Sequence, residues 1–184
     1  MEKTLQQYQA QSGRCRALFL KKTQDYGTAW RILRLSSVTD QLMIKAWRIR
    51  NIETAGVQKI ADNIESEFIG LVNYGIMALM QLGLPDDAPL ELETNVVTHV
   101  YDGIVDMTRE LMQAKNHDYG EVWRDMRVSS MTDLILMKLL RIKQIEDNKG
   151  TTIVSEGLDA NYQDIINYAL FALIKLDEQK NQAT

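Results

Sequence analysis

The feature that most constrains this chain is the duplication of one long segment. Residues 22–53, KTQDYGTAWRILRLSSVTDQLMIKAWRIRNIE, recur 93 residues later at 115–146 as KNHDYGEVWRDMRVSSMTDLILMKLLRIKQIE, with half of the positions identical. In a chain of 184 residues, either half alone would enclose only a thin core. The duplication therefore predicts two similar units that pack on each other about a pseudo-two-fold axis, as two identical subunits would.

The positions retained in both copies are mostly polar. Apolar positions vary among apolar types, as Leu33 against Met126 and Trp47 against Leu140 show. Core packing requires apolar character rather than identity, so the retained polar side chains indicate a site in addition to a fold. The retained pairs are Lys22/Lys115, Asp25/Asp118, Tyr26/Tyr119, Gly27/Gly120, Trp30/Trp123, Arg31/Arg124, Arg34/Arg127, Ser36/Ser129, Ser37/Ser130, Thr39/Thr132, Asp40/Asp133, Lys45/Lys138, Arg48/Arg141 and Glu53/Glu146.

Apolar residues recur at helical intervals along the whole chain, and no stretch alternates with the period of two that is typical of strands. The sequence predicts an all-α fold of two duplicated three-helix units. Gly27 fits a left-handed stop after the first helix, and the run from Ser37 to Asp40 resembles a capping box at the start of the second. The predicted helices span residues 3–23, 37–53, 57–82, 94–115, 130–146 and 153–177, with a short helical turn at 30–35 and a frayed tail at 178–184.

A short segment rich in turn-forming residues separates the two halves. This segment, GLPDDAPLELE at residues 83–93, contains both prolines of the chain and a small acidic cluster. We predict a first helical repeat at 1–82, a linker at 83–93 and a second helical repeat at 94–184.

Composition excludes several classes of protein. The net charge of −4 lacks the basic excess of a duplex nucleic-acid binder. The longest apolar run, at residues 68–84, is interrupted by polar residues and glycines, so we expect no membrane span. Cys15 is the single cysteine and cannot form an internal disulfide. With no signal-peptide pattern at the N-terminus, these features predict a cytoplasmic protein.

The middle helix of each half carries two cations among apolar side chains. At 100° per residue, Lys138 and Arg141 lie on one arc with Ile142, and Lys45 and Arg48 occupy the equivalent positions. Enclosed cations are costly unless anions meet them. The anions could be the phosphates of a ligand, which suit the fork of arginine and the point charge of lysine. The alternative is an internal ion-pair network with the chain's own acids, for which the candidates are Asp25, Asp118, Glu53 and Glu146.

The last helix of each half supplies acids and amides. Asp164, Asn167 and Tyr168 share one face, because they lie at i, i+3 and i+4. A carboxylate and an amide oxygen on neighbouring turns could hold Mg²⁺, with water and phosphate completing its shell. The alternative is that the asparagine and tyrosine satisfy neighbouring groups inside the bundle. The candidate metal ligands are Glu65, Glu67, Asp159 and Asp164.

The K-x-x-D-Y-G-x-x-W element also has two interpretations. Tyr26 and Trp30 could provide a stacking surface for a base or another flat ring, and Arg31 could reach phosphates at a pocket mouth. Alternatively, Lys22 complements a helix end, Trp30 folds onto the core and Arg31 is solvated. The candidate ligand-binding residues are Lys22, Asp25, Tyr26, Trp30, Arg31, Lys45, Arg48, Asn73, Lys115, Asp118, Tyr119, Trp123, Arg124, Lys138, Arg141 and Asn167.

The tandem K-x-x-D-Y-G-x-x-W, S-S-x-T-D, K-x-x-R-I-x-x-I-E and N-Y elements resemble the bacterial nucleotide modification associated domain type 1 family, over nearly the whole chain. More distantly, the layout resembles the all-α nucleoside triphosphate pyrophosphohydrolases of the MazG and dimeric dUTPase kind. That resemblance implies carboxylates on adjacent helices that hold Mg²⁺ and a water directed at the α-phosphorus. Here the middle helix has no E-E-x-x-E, and the E-x-x-D of the next helix is split between Glu67-x-x-Gly70 and Asn161-x-x-Asp164.

These observations lead to one expected function and one alternative. The expected function is binding of a nucleotide or a related phosphorylated heterocycle, extended to Mg²⁺-dependent release of pyrophosphate from a nucleoside triphosphate. The chain is then a pseudo-dimer that can pair further as a homodimer. The alternative is a non-catalytic helical module whose buried charges fix its own architecture while its surface meets a protein partner.

Overall fold

The computed structural model describes residues 2–56, 63–154 and 156–182 and confirms the all-α fold. Over these ranges the chain is helical, with no strand. Two short 3₁₀ turns, at Ala29–Ile32 and Val122–Asp125, follow the first helix of each half. The six helices are α1 (Glu2–Tyr26), α2 (Leu35–Ala55), α3 (Ile64–Gly83), α4 (Thr94–Tyr119), α5 (Val128–Asp147) and α6 (Leu158–Gln182).

The duplicated helices form one pseudo-two-fold bundle, as the repeat predicted. α3 packs along α6 and α2 along α5, while each α2–α3 and α5–α6 pair also packs within its own half. α1 and α4 lie on the outside against α3 and α6. A single apolar core runs through both halves. None of the described helices is long and apolar enough to cross a lipid bilayer.

Two buried asparagines tie the halves together. Asn73 on α3 accepts a hydrogen bond from the Tyr101 hydroxyl of α4 at 2.8 Å and donates to the Cys15 carbonyl at 3.1 Å. The equivalent bonds run from the Tyr8 hydroxyl to Asn167 Oδ1 at 2.9 Å and from Asn167 Nδ2 to the Thr108 carbonyl at 3.3 Å. Both amides are therefore hydrogen-bonded inside the bundle. This agrees with the alternative interpretation of the sequence, in which the asparagine satisfies neighbouring groups of the protein.

Ion pairs show that α2 and α5 run antiparallel. Lys143 lies 2.6 Å from Asp40, and Arg50 lies 3.4 Å from Asp133. These are equivalent pairs, because each joins an acid near the start of one helix to a base near the end of the other. All four side chains are largely solvated, so the two pairs fix orientation more than they add stability.

A second pair of contacts joins the same two helices closer to the core. Thr39 donates a hydrogen bond to Glu146 at 2.7 Å, and Thr132 donates to Glu53 at 3.0 Å. Burial raises the pKa of Glu146, and the hydrogen bond from Thr39 offsets this only in part. Burial likewise raises the pKa of Glu53 against the hydrogen bond from Thr132. The expectation that Glu53 and Glu146 neutralise the middle-helix cations is wrong, because threonine hydroxyls are their partners.

Replacing Glu53 and Glu146 by glutamine is expected to raise the free energy of unfolding at neutral pH. Because the pKa values of Glu53 and Glu146 are raised in the folded state, the folded protein binds the carboxyl protons more tightly than the unfolded chain does. Ionisation of the two carboxyls therefore lowers stability as pH rises from their ordinary pKa of 4.5 through the folded-state pKa. Urea midpoints of the double variant and the natural protein should converge near pH 4 and separate by about pH 7. The exposed Glu110→Gln variant is the matched control, and an equal difference at every pH would contradict the prediction.

Several predicted boundaries differ from the structure. Helix α2 begins at Leu35 after Arg34, with no side-chain cap, so the predicted capping box is wrong and Asp40 lies inside the helix. Helix α6 begins at Leu158, and the tail that was predicted to fray is helical to Gln182. The predicted start of the third helix, at residue 57, falls outside the described residues, and α3 is described from Ile64. The left-handed stop at Gly27 is confirmed by its φ of 59°.

Candidate functional site

Two equivalent pockets lie where the first helix of each half ends. The first pocket, of about 430 Å³, lies between the end of α1, the 3₁₀ turn, α2 and α3. The second pocket, of about 450 Å³, lies between the corresponding α4, 3₁₀ turn, α5 and α6. Retained residues meet in both. The shared lining pairs are Lys22/Lys115, Tyr26/Tyr119, Gly27/Gly120, Trp30/Trp123, Lys45/Lys138, Asn73/Asn167 and Tyr74/Tyr168.

Tyrosines are the accessible aromatic rings of these pockets. Tyr26 is 68% exposed and Tyr119 is 75% exposed, so each offers a free ring surface. Trp123 is instead buried, with its ring stacked on Phe171 at a centroid distance of 4.2 Å and the Arg124 guanidinium 4.4 Å from the ring. Of the rings to which the sequence assigned a stacking role, the tyrosines are therefore the most accessible, whereas Trp30 is half-buried and Trp123 is buried.

Both pocket tryptophans hold an unused hydrogen-bond donor. The indole N–H groups of Trp30 and Trp123 are buried and have no acceptor among the described residues. A buried donor without a partner is uncommon and costs about 1–3 kcal/mol. Because the two indole N–H groups occupy equivalent positions in the two halves, the missing hydrogen bond is common to both pockets. An acceptor atom on a bound molecule would supply the missing partner.

In the second pocket, one carboxylate bridges two lysines. Asp164 accepts a hydrogen bond from Lys115 at 2.5 Å through Oδ1 and one from Lys138 at 2.6 Å through Oδ2. Lys138 and Asp164 are each only 7% exposed, so this is a desolvated ion pair. Burial tends to lower the pKa of Lys115, but the hydrogen bond and charge of Asp164 outweigh it and raise that pKa.

In the first pocket, the equivalent lysines have a different environment because Gly70 stands in the place of Asp164. Lys45 lies against Gly70, and its Nζ is 3.0 Å from the position that a Cβ would take. The same ammonium is 3.4 Å from Glu67, which also binds Arg48. Lys22 is exposed, and no acid among the residues the structure describes pairs with it. The first pocket is therefore the more positive of the two.

The four candidate metal ligands do not gather into one site. Glu65 binds Arg14 at 2.8 Å and also Lys180; burial tends to raise its pKa, but these bonds lower it. Glu67 is bonded to cations of α2, and Asp159 is exposed on the first turn of α6. No group of three or more acids, histidines or cysteines suitable for a metal occurs within the described ranges. Three of the acids, Glu65, Glu67 and Asp164, are therefore paired with the chain's own cations, and Mg²⁺ binding by these residues stays a prediction.

The remaining candidate residues lie outside the two pockets. Asp25 and Asp118 are exposed and line neither pocket. Arg141 is exposed beside the segment after α5, in a separate cavity of about 690 Å³, so its predicted burial is wrong. Arg31 and Arg124 anchor chain segments instead of lining a pocket: Arg31 donates to Gln81, Ala88 and Pro89, and Arg124 to Thr4, Gln7 and Glu178.

Comparison with protein families matches two segments of the chain, residues 22–82 and 115–176, to nucleotide modification associated domain 1. The two segments cover two thirds of the chain. The chain belongs to this family. Neither curated proteins nor solved structures gave a match. The more distant likeness to MazG-type enzymes remains a prediction.

Each copy of nucleotide modification associated domain 1 begins at a pocket lysine, Lys22 or Lys115, and includes the greater part of one pocket. The sequence reasoning did not assign Tyr74 and Tyr168 to the ligand, although they line the pockets beside the two asparagines. Their signal was the Asn-Tyr pair retained in both halves. The sequence assigned Asp164 to Mg²⁺ and did not anticipate that its neighbours are lysines from two other helices.

Proposed function

We propose that this protein binds a nucleotide, or a related phosphorylated heterocycle, in at least one of the two pockets at the ends of α1 and α4. The observation that supports this most is the repeated combination of two lysines, a free tyrosine ring and an unpartnered indole N–H in one cavity. The membership of a family named for nucleotide modification is consistent with it.

Each component matches one part of such a ligand. Lysine ammoniums bind phosphate oxygens through charge-assisted hydrogen bonds, which contribute about 1.5–3 kcal/mol each. The exposed ring of Tyr26 or Tyr119 can stack on a planar heterocycle, an interaction of about 1–3 kcal/mol. The indole N–H of Trp30 or Trp123 needs an acceptor, which a phosphate, hydroxyl or base oxygen supplies. Volumes of about 430 and 450 Å³ are in the range of small-molecule sites.

Hydrolysis of a nucleoside triphosphate to a monophosphate and pyrophosphate is the catalytic extension of this proposal. It would require Mg²⁺ and acids grouped about it. Among the described residues no group of three or more such acids occurs, and Glu65, Glu67 and Asp164 are paired with basic side chains. The geometry therefore supports binding better than hydrolysis. A pyrophosphate-release assay with and without Mg²⁺ tests the extension separately.

Isothermal titration calorimetry with nucleosides and their mono-, di- and triphosphates tests the proposal. We expect binding that requires phosphate and weakens with salt, because the lysine contribution is electrostatic. We also expect the nucleoside triphosphate to bind at least about 10-fold more tightly than inorganic tripolyphosphate, since one stacked ring contributes about 1–3 kcal/mol. The absence of binding by every member of the panel would contradict the proposal.

One observation favours the alternative of a non-catalytic helical module. Several retained polar residues, among them Thr39, Asp40 and Glu53, are used in contacts between the halves and explain their own retention. For such a module, no nucleotide shifts the melting temperature. Replacing Lys138 and Arg141 by methionine would then leave stability unchanged or higher, with no effect on any ligand.

A further inference from the structure

We infer that the two pockets differ in ligand class: the first binds a phosphate group, and the second holds the chain's own Asp164 carboxylate in the equivalent position. This inference rests on the proposed function for the identity of the ligand, but its central claim concerns anions in general. It makes the residue at position 70 or 164 the determinant of whether a pocket accepts an anion.

The second pocket shows what the lysine pair binds. Lys115 and Lys138 come from different helices, α4 and α5, yet both reach one carboxylate, each through a separate oxygen. Glu156 adds a second negative group 3.9 Å from Lys138. Two lysines therefore meet two acids, and the lysine pair is neutralised. An incoming phosphate would have to displace a buried carboxylate that accepts hydrogen bonds from both lysines. This displacement is costly because Asp164 would lose both partners.

The first pocket has the same lysine pair without the carboxylate that bridges it. Glu67 lies 3.4 Å from Lys45 but also binds Arg48, so the first pocket keeps a net positive charge. Lys22 and Lys45 are equivalent to Lys115 and Lys138, and Gly70 is equivalent to Asp164. The Lys45 side chain occupies part of the space that an aspartate would fill, with Cδ and Cε each 2.7 Å from the Cβ position on Gly70. Lysine stems are flexible, so a phosphate entering the cavity can draw Lys45 and Lys22 together as Asp164 draws their counterparts together.

The buried indole N–H beside each lysine pair provides an independent indication of a ligand. Trp30 Nε1 is unpartnered in the first pocket, where no described acid occupies the anion position. Trp123 Nε1 is also unpartnered, so Asp164 neutralises the lysines of the second pocket but leaves its hydrogen-bond donor unused. The second pocket is therefore suited to an uncharged molecule with an acceptor, such as a nucleoside.

Exchange of the two residues tests this assignment. Gly70→Asp introduces the carboxylate into the first pocket, where only the movable end of Lys45 stands in its way. Asp164→Gly removes the carboxylate from the second pocket, and Asp164→Asn removes its charge while keeping its shape. Because Asp164→Gly leaves Lys138 buried without its main partner, Asp164→Asn serves if that variant is unstable.

Indole N–H resonances report on each pocket separately. The chain has three tryptophans, of which Trp30 lies in the first pocket, Trp123 in the second, and Trp47 on the outer face of α2. The protein is labelled with ¹⁵N-tryptophan, the three signals are assigned by single tryptophan-to-phenylalanine variants, and sodium tripolyphosphate is titrated. We expect the Trp30 signal alone to shift in the natural protein. Gly70→Asp should weaken this response at least about 10-fold, and Asp164→Gly or Asp164→Asn should add a Trp123 response.

Each outcome of the titration has a definite meaning. Equal responses of Trp30 and Trp123 in the natural protein, or no response of either, would overturn the inference, as would Asp164 variants whose Trp123 signal stays unchanged. Repetition with nucleoside triphosphates separates the two proposals. If tripolyphosphate shifts Trp30 but no nucleotide binds more tightly, the proposed function fails while the inference stands. If nucleotides shift both indoles equally, the proposed function stands and the inference fails.

Discussion

Replacing Asn73 by leucine is expected to lower the free energy of unfolding by about 3 kcal/mol, with the urea dependence unchanged. Leucine keeps the volume of the side chain but removes the acceptor of the Tyr101 hydroxyl and the donor to the Cys15 carbonyl. All three groups lie in the core, where a polar group without a partner costs about 1–3 kcal/mol. Equilibrium urea unfolding followed by circular dichroism measures the change.

The equivalent bond in the other half provides a matched comparison. Asn167→Leu should cost a similar amount, because Asn167 stands between the Tyr8 hydroxyl and the Thr108 carbonyl. Adding Tyr101→Phe to Asn73→Leu should recover part of the loss, since the hydroxyl no longer needs an acceptor. A cost below about 1 kcal/mol for both asparagine variants would show that these bonds do not hold the halves together.

Replacing Lys22 and Lys45 together by methionine is expected to weaken binding of a phosphorylated ligand by at least about 100-fold. Each lysine is expected to donate one charge-assisted hydrogen bond worth about 1.5–3 kcal/mol, and each 1.4 kcal/mol is a factor of 10 in affinity. Methionine preserves the apolar stem, so the fold should remain. The salt dependence of binding should also decrease, because two positive charges are lost. Calorimetric titration at two salt concentrations measures both effects.

Lys21→Met is the matched control, because Lys21 is an exposed neighbour of Lys22 and does not line the pocket. It removes one charge from the same surface and should change affinity by less than about threefold. If it weakens binding as much as Lys22→Met does, the effect comes from overall charge and the pocket assignment is wrong.

The helical fold and its pseudo-symmetry could be predicted because both follow from patterns along the chain. Helical periodicity gives the type of each element, and a repeat gives the symmetry. Helix ends were harder. Ser37 and Asp40 have the spacing of a capping box, but α2 begins at Leu35 and Asp40 pairs with Lys143 across the interface. The partner of Asp40 therefore lies in the other half of the chain, and local sequence does not contain that information.

The candidate site was predicted in part for a related physical reason. In a duplicated chain whose copies pack on each other, a side chain is retained either for a ligand or for its contact with the other copy. Thr39 and Glu53 belong to the second class, whereas Lys22 and Tyr26 line a pocket. Residues of both classes are identical in the two copies, so the sequence alone does not distinguish ligand-binding residues from those that contact the other copy. Only the distance from Asp164 to two lysines shows that this acid is a counter-ion.

The reciprocal bonds of Asn73 and Asn167 with tyrosines of the opposite repeat bear on how such a chain could have arisen. A polypeptide with a single repeat would bury a tyrosine hydroxyl and an asparagine amide that only a second molecule could satisfy, so it would depend on association and hence on its concentration. Joining two copies by a linker makes that encounter intramolecular. In a single chain, residues 70 and 164 are also encoded separately, whereas in a dimer of identical subunits they would have to be the same. The two copies of one ancestral residue could therefore take opposite roles.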